Sequence, residues 1–296
     1  MIALQARRSR RTEHIAVVGL RIAAIFVIFA MLALLVYLAF EGTKTFYVDK
    51  FPVWSFLFSS DFSPDSIHPG PGAAVFIVGT LAVTLFAIAV GGPFGIAVGI
   101  FLAEIAPRRM TQLLKPAIEL MVGIPSVLYG WLGLTLLVPL IRTHTSSPSG
   151  FGLLAGGVVL AIMILPTVIT LSEDAFRSIP PVLKEGSLAL GATRWQTITR
   201  VLLPSASSGV AVALILGIAR AVGETLAIQM VIGNSPKFAN GLFAPTAALT
   251  TEIVTDMPGA TAGSLLEHAL FSMAFLLLLI AMVLIVLVRF ALRKRA

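Results

Sequence analysis

Six long apolar stretches limit how this chain can fold. They cover residues 20–40, 74–103, 115–141, 151–172, 208–232 and 265–288. A helix needs about 20 apolar residues to cross a bilayer, and only 12% of the residues are charged, compared with about 25% in a soluble domain. Because lipid offers the backbone no hydrogen-bond partners, such stretches form helices. The sequence therefore predicts an all-α, polytopic membrane protein with six transmembrane helices.

The basic residues lie mainly on one side of the predicted membrane. Of the 21 Lys and Arg residues, 16 fall in the N-terminal tail, near Arg108, in the loop at 173–205 and at the C-terminus, counting Arg21, whose side chain reaches back to that side. Four fall in the opposite loops, and Arg220 lies within a span. Because cytoplasmic loops hold the excess of basic residues, we expect both termini to be cytoplasmic. The net charge of +7 then reflects membrane orientation, and we expect lipid but no nucleic acid as a partner.

The chain divides at about residue 72. Residues 1–72 hold the basic tail, the first span and an extracytoplasmic loop, and residues 73–290 hold the other five spans. The loop is rich in aromatic residues, which usually anchor a chain at the membrane interface; stacking on a carbohydrate or nucleotide is the alternative. These aromatic residues are Phe46, Tyr47, Phe51, Trp54, Phe56, Phe58 and Phe62.

A polar stretch at residues 179–204 separates two apolar spans. Pro180 and Pro181 are typical of a helix start, Gly191 interrupts the pattern, and Pro204 ends it. Apolar residues recur between them at helical spacing; they are Leu183, Leu188, Leu190, Trp195, Ile198 and Leu202. This pattern predicts two short amphipathic helices with a bend at Gly191. Such helices lie either in the headgroup layer or against a partner protein.

The spacing within this stretch resembles the cytoplasmic EAA loop of bacterial ABC-importer permeases. The matching residues are Glu185, Gly191, Val201, Leu203 and Pro204. Gly186 and Ser187 replace the two alanines that usually follow the glutamate, and Val201 replaces the usual isoleucine, so small and β-branched residues are kept. The resemblance implies a coupling helix that docks into a groove on an ATPase subunit.

A charged pair lies within the fifth predicted span. Arg220 falls near its middle, where a charge is costly unless it faces protein or water, and Glu224 follows one helical turn later. A stripe of small residues on that side lets helices approach closely; it comprises Gly209, Ala213, Gly217 and Ala221. The pair either fixes helix packing or forms a site on the substrate pathway. In that site the guanidinium would contact an oxyanion and Glu224 would orient it.

Three further segments resemble the PstC family of permeases from phosphate ABC importers. They are Gly123-Ile-Pro-Ser-Val-Leu-Tyr-Gly130, Ala219-Arg-Ala-Val-Gly-Glu-Thr-Leu-Ala227 and Met230-Val-Ile-Gly-Asn234. The related PstA permeases are similar around Gly-x-Pro-Ser but differ in the fifth span. The resemblance covers about residues 70–290. It implies a type I ABC importer (MetI-like) permease core that moves inorganic phosphate across the bacterial cytoplasmic (inner) membrane.

The same resemblance implies a set of partners. These are a second, PstA-like permease, two PstB-like ATP-binding subunits on the cytoplasmic side and an extracytoplasmic, PstS-like phosphate-binding protein. Arg220 and Glu224 would then lie on the substrate pathway. The coupling residues Glu185 to Pro204 would contact the ATPase.

The absence of several motifs narrows the function further. No P-loop is present, so the energy for transport comes from a partner chain, on which we expect ATP hydrolysis, or from an ion gradient. There is no cysteine, and the four histidines lack the spacing of metal ligands, so we expect a transport subunit without cofactor or metal rather than an enzyme. The alternatives are a sulfate or molybdate permease, a membrane-embedded enzyme or sensor, and a secondary transporter with Glu224 as its proton site. The last would normally show internal repeats, and the sequence shows none.

Overall fold

The computed structural model describes residues 2–64, 66–67, 69–145 and 147–293, with side chains from residue 17 to residue 290. The helices are α1 (Ile2–Gly42), α2 (Lys44–Tyr47), α3 (Val53–Phe58), α4 (Ala74–Ile100), α5 (Arg108–Val122), α6 (Ser126–Leu132), α7 (Val138–His144), α8 (Leu153–Arg177), α9 (Pro181–Ala189), α10 (Arg194–Thr197), α11 (Leu203–Ser205), α12 (Ser207–Val222), α13 (Leu226–Gln229), α14 (Leu249–Asp256) and α15 (Leu265–Arg293). Short π-helical turns at Phe101–Ile105, Gly133–Leu137 and Ile198–Leu202 extend α4, α6 and α10, and a 3-10 turn at Met257–Gly259 follows α14. Strands β1 (Phe62–Ser63) and β2 (Gly70–Pro71) form a small antiparallel hairpin. The described part does not include the side chains of the basic tail and His14, nor that of His68. It also leaves out the side chains of the basic residues after residue 290.

Five helical segments in the described chain are long and apolar enough to cross a membrane. They are Val17–Tyr47, Ala74–Ile105, Ser126–His144, Leu153–Arg177 and Leu265–Phe290. A sixth, Ser207–Val222, meets the preceding segment Arg194–Ser205 at an angle of 70°. The predicted all-α fold with six spans is therefore confirmed when this bent pair counts as one span.

Two predicted spans have the wrong bounds. The third begins at Ser126 rather than at residue 115, because a break at residues 123–125 separates it from α5, an independent helix that buries none of its residues. The fifth ends at Val222 rather than at residue 232, because the chain leaves the helix at Gly223. In both places a glycine in a right-handed conformation follows directly after the last helical residue.

Helix α8 lies at the centre of the bundle, where α4 and α12 approach it closely. A Cβ atom added to Gly95 or Gly99 of α4 would lie 2.7 Å from Val168 or Ser172 of α8. On the other side of α8, a Cβ atom added to Gly209 of α12 would lie 2.4 Å from Ala175. Glycine therefore allows these backbones to approach closely. The small-residue stripe predicted on the fifth span does pack against a neighbouring helix, namely α8.

The aromatic-rich loop between the first two spans is partly folded into the core. Phe46 packs edge-on against Phe56, and Phe62 packs in the same way against Phe76 of α4. Anchoring at the membrane interface is therefore wrong for Phe56, which is 1% exposed. It stays a prediction for the exposed pair Trp54 and Phe58, whose ring centroids lie 4.2 Å apart.

Candidate functional site

The polar stretch folds into two short helical pieces joined by a turn at Gly191. The first is α9, and the second runs from Arg194 to Ser205. Gly191 adopts φ +83°, a conformation that L residues with a side chain rarely adopt. Thr193 and Gln196 cap the second piece reciprocally, each side chain bonding the other's backbone N–H. The predicted pair of helices with a bend at Gly191 is confirmed, and we call residues 181–205 the coupling segment.

One face of the coupling segment is buried and the other presents apolar side chains. Ile198 and Leu202 pack in a core with Phe176 of α8. Leu190 and Trp195, in contrast, are 91% and 70% exposed. An exposed apolar patch of this kind is typical of a site that contacts another protein or a membrane surface.

The predicted coupling residues lie on or near this exposed surface. Glu185, Gly191, Leu203 and Pro204 are exposed, and Val201 is half-buried. Pro204 does not itself end the helix, which continues to Ser205 before the 70° bend into α12.

The second predicted site, the charged pair Arg220 and Glu224, is arranged differently from the prediction. Arg220 and Glu224 do not form an ion pair in the described structure, in which both side chains are half-buried. Because α12 ends at Val222, Glu224 no longer lies one helical turn above Arg220. Arg220 also lies at the end of the span, not near its middle. The expected intrahelical pair is therefore wrong, although each residue has another partner.

Arg220 faces α8. Its Nη1 atom donates a hydrogen bond to Thr167 Oγ1 at 3.4 Å. Thr167 lines a cavity of about 350 Å³. The lining of this cavity is Glu119, Val122, Thr167, Thr170 and Leu171. Arg220 therefore adjoins this space through its bond to Thr167 but does not line it; the lining is mainly apolar, and its polar residues are Glu119, Thr167 and Thr170.

Glu224 stabilises the break that follows α12. Its Oε1 accepts a hydrogen bond from the N–H of Ala227 at 3.1 Å, at the start of α13. Its carbonyl accepts a hydrogen bond from Thr250 Oγ1 at 3.0 Å, which connects the break to α14. A carboxylate in this position satisfies a free N–H at a helix start, as capping side chains do.

Sequence reasoning missed two features near this site. Thr167 and Thr170 lie three residues apart within the apolar part of α8, and this polar spacing was the available signal. Glu252 of α14 lies outside the spans and is 7% exposed. Its burial, together with the charge of Asp256 and a hydrogen bond to it, raises the pKa of Glu252 to about 8.

Comparison with known proteins identifies the family of this chain. The profile of the family described as "Binding-protein-dependent transport system inner membrane component" matches residues 95–295. The chain belongs to this family. It is therefore a membrane-embedded transport permease and not an enzyme.

Relatives of this permease include the probable ABC transporter permease protein YqgH of Bacillus subtilis. The two are 44% identical over 272 residues, which cover 92% of this chain and 88% of that protein. The phosphate transport system permease protein PstC of Pasteurella multocida is 33% identical over 94% of this chain and 92% of its own length. The PstC protein of Haemophilus influenzae is 34% identical over 81% of each chain. The resemblance to PstC-type permeases is therefore confirmed.

Solved structures show the same permease fold. A chain of the inward-facing MetNI methionine ABC transporter aligns with a TM-score of 0.55 and 22% identity, covering 75% of this chain and 94% of that chain. A second crystal form gives a TM-score of 0.52 and 21% identity. These similarities confirm the type I, MetI-like fold.

Proposed function

We propose that this permease moves inorganic phosphate across the cytoplasmic membrane as one subunit of an ATP-driven importer. Arg220 supports this function most directly, because its guanidinium has no carboxylate partner in the described structure and bonds Thr167, one of the residues that line a neighbouring cavity. A guanidinium presents a fork of N–H donors that suits phosphate oxygens. Permeases named for phosphate transport are 33–34% identical to this chain, which supports phosphate as the oxyanion.

The proposed complex contains four further subunits. A PstA-like permease would complete the pathway, two PstB-like ATPases would bind the coupling segment, and a PstS-like protein would deliver phosphate from outside. Both termini and the coupling segment lie on the cytoplasmic side in this arrangement. The charge distribution supports this orientation, since most basic residues share that face.

Within this function, the two pathway residues have different roles. Arg220 would contact the anion transiently during passage. Glu224 would hold the break after α12 through its bond to Ala227, so that it positions Arg220 without neutralising it. Glu185, Gly191, Val201, Leu203 and Pro204 would form the ATPase contact.

Uptake by the purified five-protein assembly in vesicles tests this function. With ATP supplied on the side of the ATPases, we expect accumulation of phosphate, unaffected by excess sulfate or molybdate and insensitive to a protonophore. Competition by sulfate or molybdate would favour those oxyanions as substrates. Uptake driven by a proton gradient without ATP would indicate a secondary transporter.

The orientation has its own test. The chain lacks cysteine, so single cysteines can be introduced at Ser60, Asn240 and Ser187. An impermeant thiol reagent should label the first two positions in intact cells and not the third. The opposite labelling pattern would reverse the orientation.

A further inference from the structure

The first half of the coupling segment is attached to the protein in an unusual way. Helix α9 buries none of its residues, whereas the second half is anchored through Ile198 and Leu202. Across residues 181–191, all of which the structure describes, one polar contact leaves the coupling segment. It joins Lys184 Nζ to Glu104 Oε2 at 2.5 Å. The ion pair therefore links α9 directly to the second span, and a hydrogen bond of 3.0 Å between Ser187 Oγ and Thr197 Oγ1 links it to the anchored second half.

Glu104 belongs to the cytoplasmic end of the second span. It lies in the π-helical turn Phe101–Ile105, and its side chain is only 10% exposed. Between this turn and α9 lies a cavity of about 130 Å³. Leu188 of α9 and Ile105 of the turn both line this cavity, so the ion pair bridges a gap beside a loosely packed surface.

Further polar contacts connect this turn to α8 and α5. Arg177 Nη2 donates to the carbonyl of Leu102 at 3.2 Å, and Arg177 Nε donates to Glu173 at 2.7 Å. The side chain of Glu173 is 2% exposed and lies 3.5 Å from Lys115 of α5. Lys115 lies one helical turn before Glu119, which lines the Arg220 cavity. Side-chain contacts thus connect α9 to the π-helical turn and the turn, through Arg177 and Glu173, to Lys115 of α5, while the steps from Glu104 to Leu102 and from Lys115 to Glu119 follow the backbone.

We propose that the Lys184–Glu104 ion pair makes the second span follow the movements of α9, and that Glu173 and Lys115 extend this link to α5 beside Arg220. Glu104 and Lys184 are positioning residues in this scheme, since neither touches the substrate. The proposal rests on the ATP-driven function proposed above. It adds a defined route by which movement of the coupling segment reaches the pathway.

The ratio of phosphate transported to ATP hydrolysed tests this link in the reconstituted complex. Glu104→Gln and Lys184→Gln should each lower the ratio by about fivefold or more, the low end of energetic coupling between sites. ATP hydrolysis should persist, because it occurs on the partner subunits, and recovery of the complex is measured in parallel, because Glu104 is only 10% exposed and Lys184→Gln leaves it without its partner. The swapped variant, Glu104→Lys with Lys184→Glu, should recover the ratio. Arg109→Gln is the matched control, since it removes an exposed charge from the same membrane face.

A normal ratio in both single variants would overturn the proposal, as would an assembled swapped variant that stays uncoupled. A wild-type complex that takes up no phosphate would instead contradict the proposed function. If the single variants do not assemble, Glu104→Cys with Lys184→Cys can be joined by a short thiol cross-linker in a complex whose partners lack cysteine. The cross-linked complex should transport at the wild-type ratio. Loss of transport after cross-linking would show that α9 must move apart from the second span.

Discussion

Arg220 of α12 donates a hydrogen bond to Thr167 of α8 at 3.4 Å, across a surface where the two helices pack closely. This contact replaces the ion pair that the Arg-x3-Glu spacing suggests. It leaves the guanidinium half-buried, paired with a neutral hydroxyl and close to a cavity. A cation held in this way can exchange its partner for a passing anion without first breaking a salt bridge.

The bond from Glu224 to Ala227 gives a prediction about two substitutions at one position. Glu224→Gln keeps an oxygen that can accept the hydrogen bond from Ala227 N–H, so we expect near-normal assembly and uptake. Glu224→Ala removes the acceptor, and loss of such a cap costs about 0.5–2 kcal/mol. Thermal unfolding of the purified permease should therefore separate the two variants. Equal losses in both would show that the negative charge of Glu224 matters more than its hydrogen bond.

The positive φ of Gly191 gives a second prediction. An alanine in a left-handed conformation costs about 1–2 kcal/mol, whereas asparagine tolerates it better. ATP-driven uptake should therefore decrease in the order wild type, Gly191→Asn, Gly191→Ala, with Gly191→Pro lowest. Gly186→Ala is the control, because Gly186 lies inside α9 and an added Cβ atom meets nothing within 4 Å. Normal uptake by Gly191→Pro would contradict a role for this bend.

The exposed apolar face of the coupling segment gives a third prediction. Leu190 is 91% exposed, so Leu190→Glu should leave the folding of the permease intact. In an apolar groove on the ATPase, however, the carboxylate would be buried without a partner, which is costly. Co-purification of the ATPase with the permease should fall by an order of magnitude or more. Trp195→Ala should weaken it less, and unchanged co-purification of both variants would place this face in lipid.

Much of the architecture follows from the sequence because it depends on local patterns. Apolar length predicts the spans, and the Pro and Gly residues around α9 predict its bend. The small-residue stripe on α12 also predicts its contact with α8. Each of these features needs only the residues of one segment.

The features that were missed depend on where helices end and on distant partners. The apolar run at 115–141 conceals the break at residues 123–125, because hydropathy does not register a change of helix direction. The pairing of Arg220 with Glu224 presumes a continuous helix, and the end of α12 at Val222 removes that geometry. The partners Thr167 and Glu104 lie 53 and 80 residues from Arg220 and Lys184, so only the folded chain shows them.

The buried carboxyl of Glu252 gives a prediction about pH. Its pKa rises from an ordinary value of 4.5 to about 8 in the folded protein. Between these values the unfolded chain loses the proton and the folded chain keeps it, so the stability conferred by this group is lost as pH rises. The melting temperature of the wild type should therefore fall between pH 5 and pH 8 more steeply than that of Glu252→Gln.

Asp174→Asn provides the control for this titration, since Asp174 is exposed and its removal should leave the pH dependence unchanged. Parallel pH profiles for the wild type and Glu252→Gln would show that Glu252 keeps an ordinary pKa in the folded state.

The most direct test of the account is phosphate uptake by Arg220→Gln in the reconstituted importer, measured together with recovery of the complete complex. Because Glu224 is not paired with Arg220, removing the guanidinium leaves no carboxylate without a partner, and we expect normal assembly. Uptake should fall at least about tenfold, and adding Glu224→Gln should not restore it. Normal uptake by the assembled Arg220→Gln complex, or its rescue by the second substitution, would contradict a role for Arg220 in the phosphate pathway.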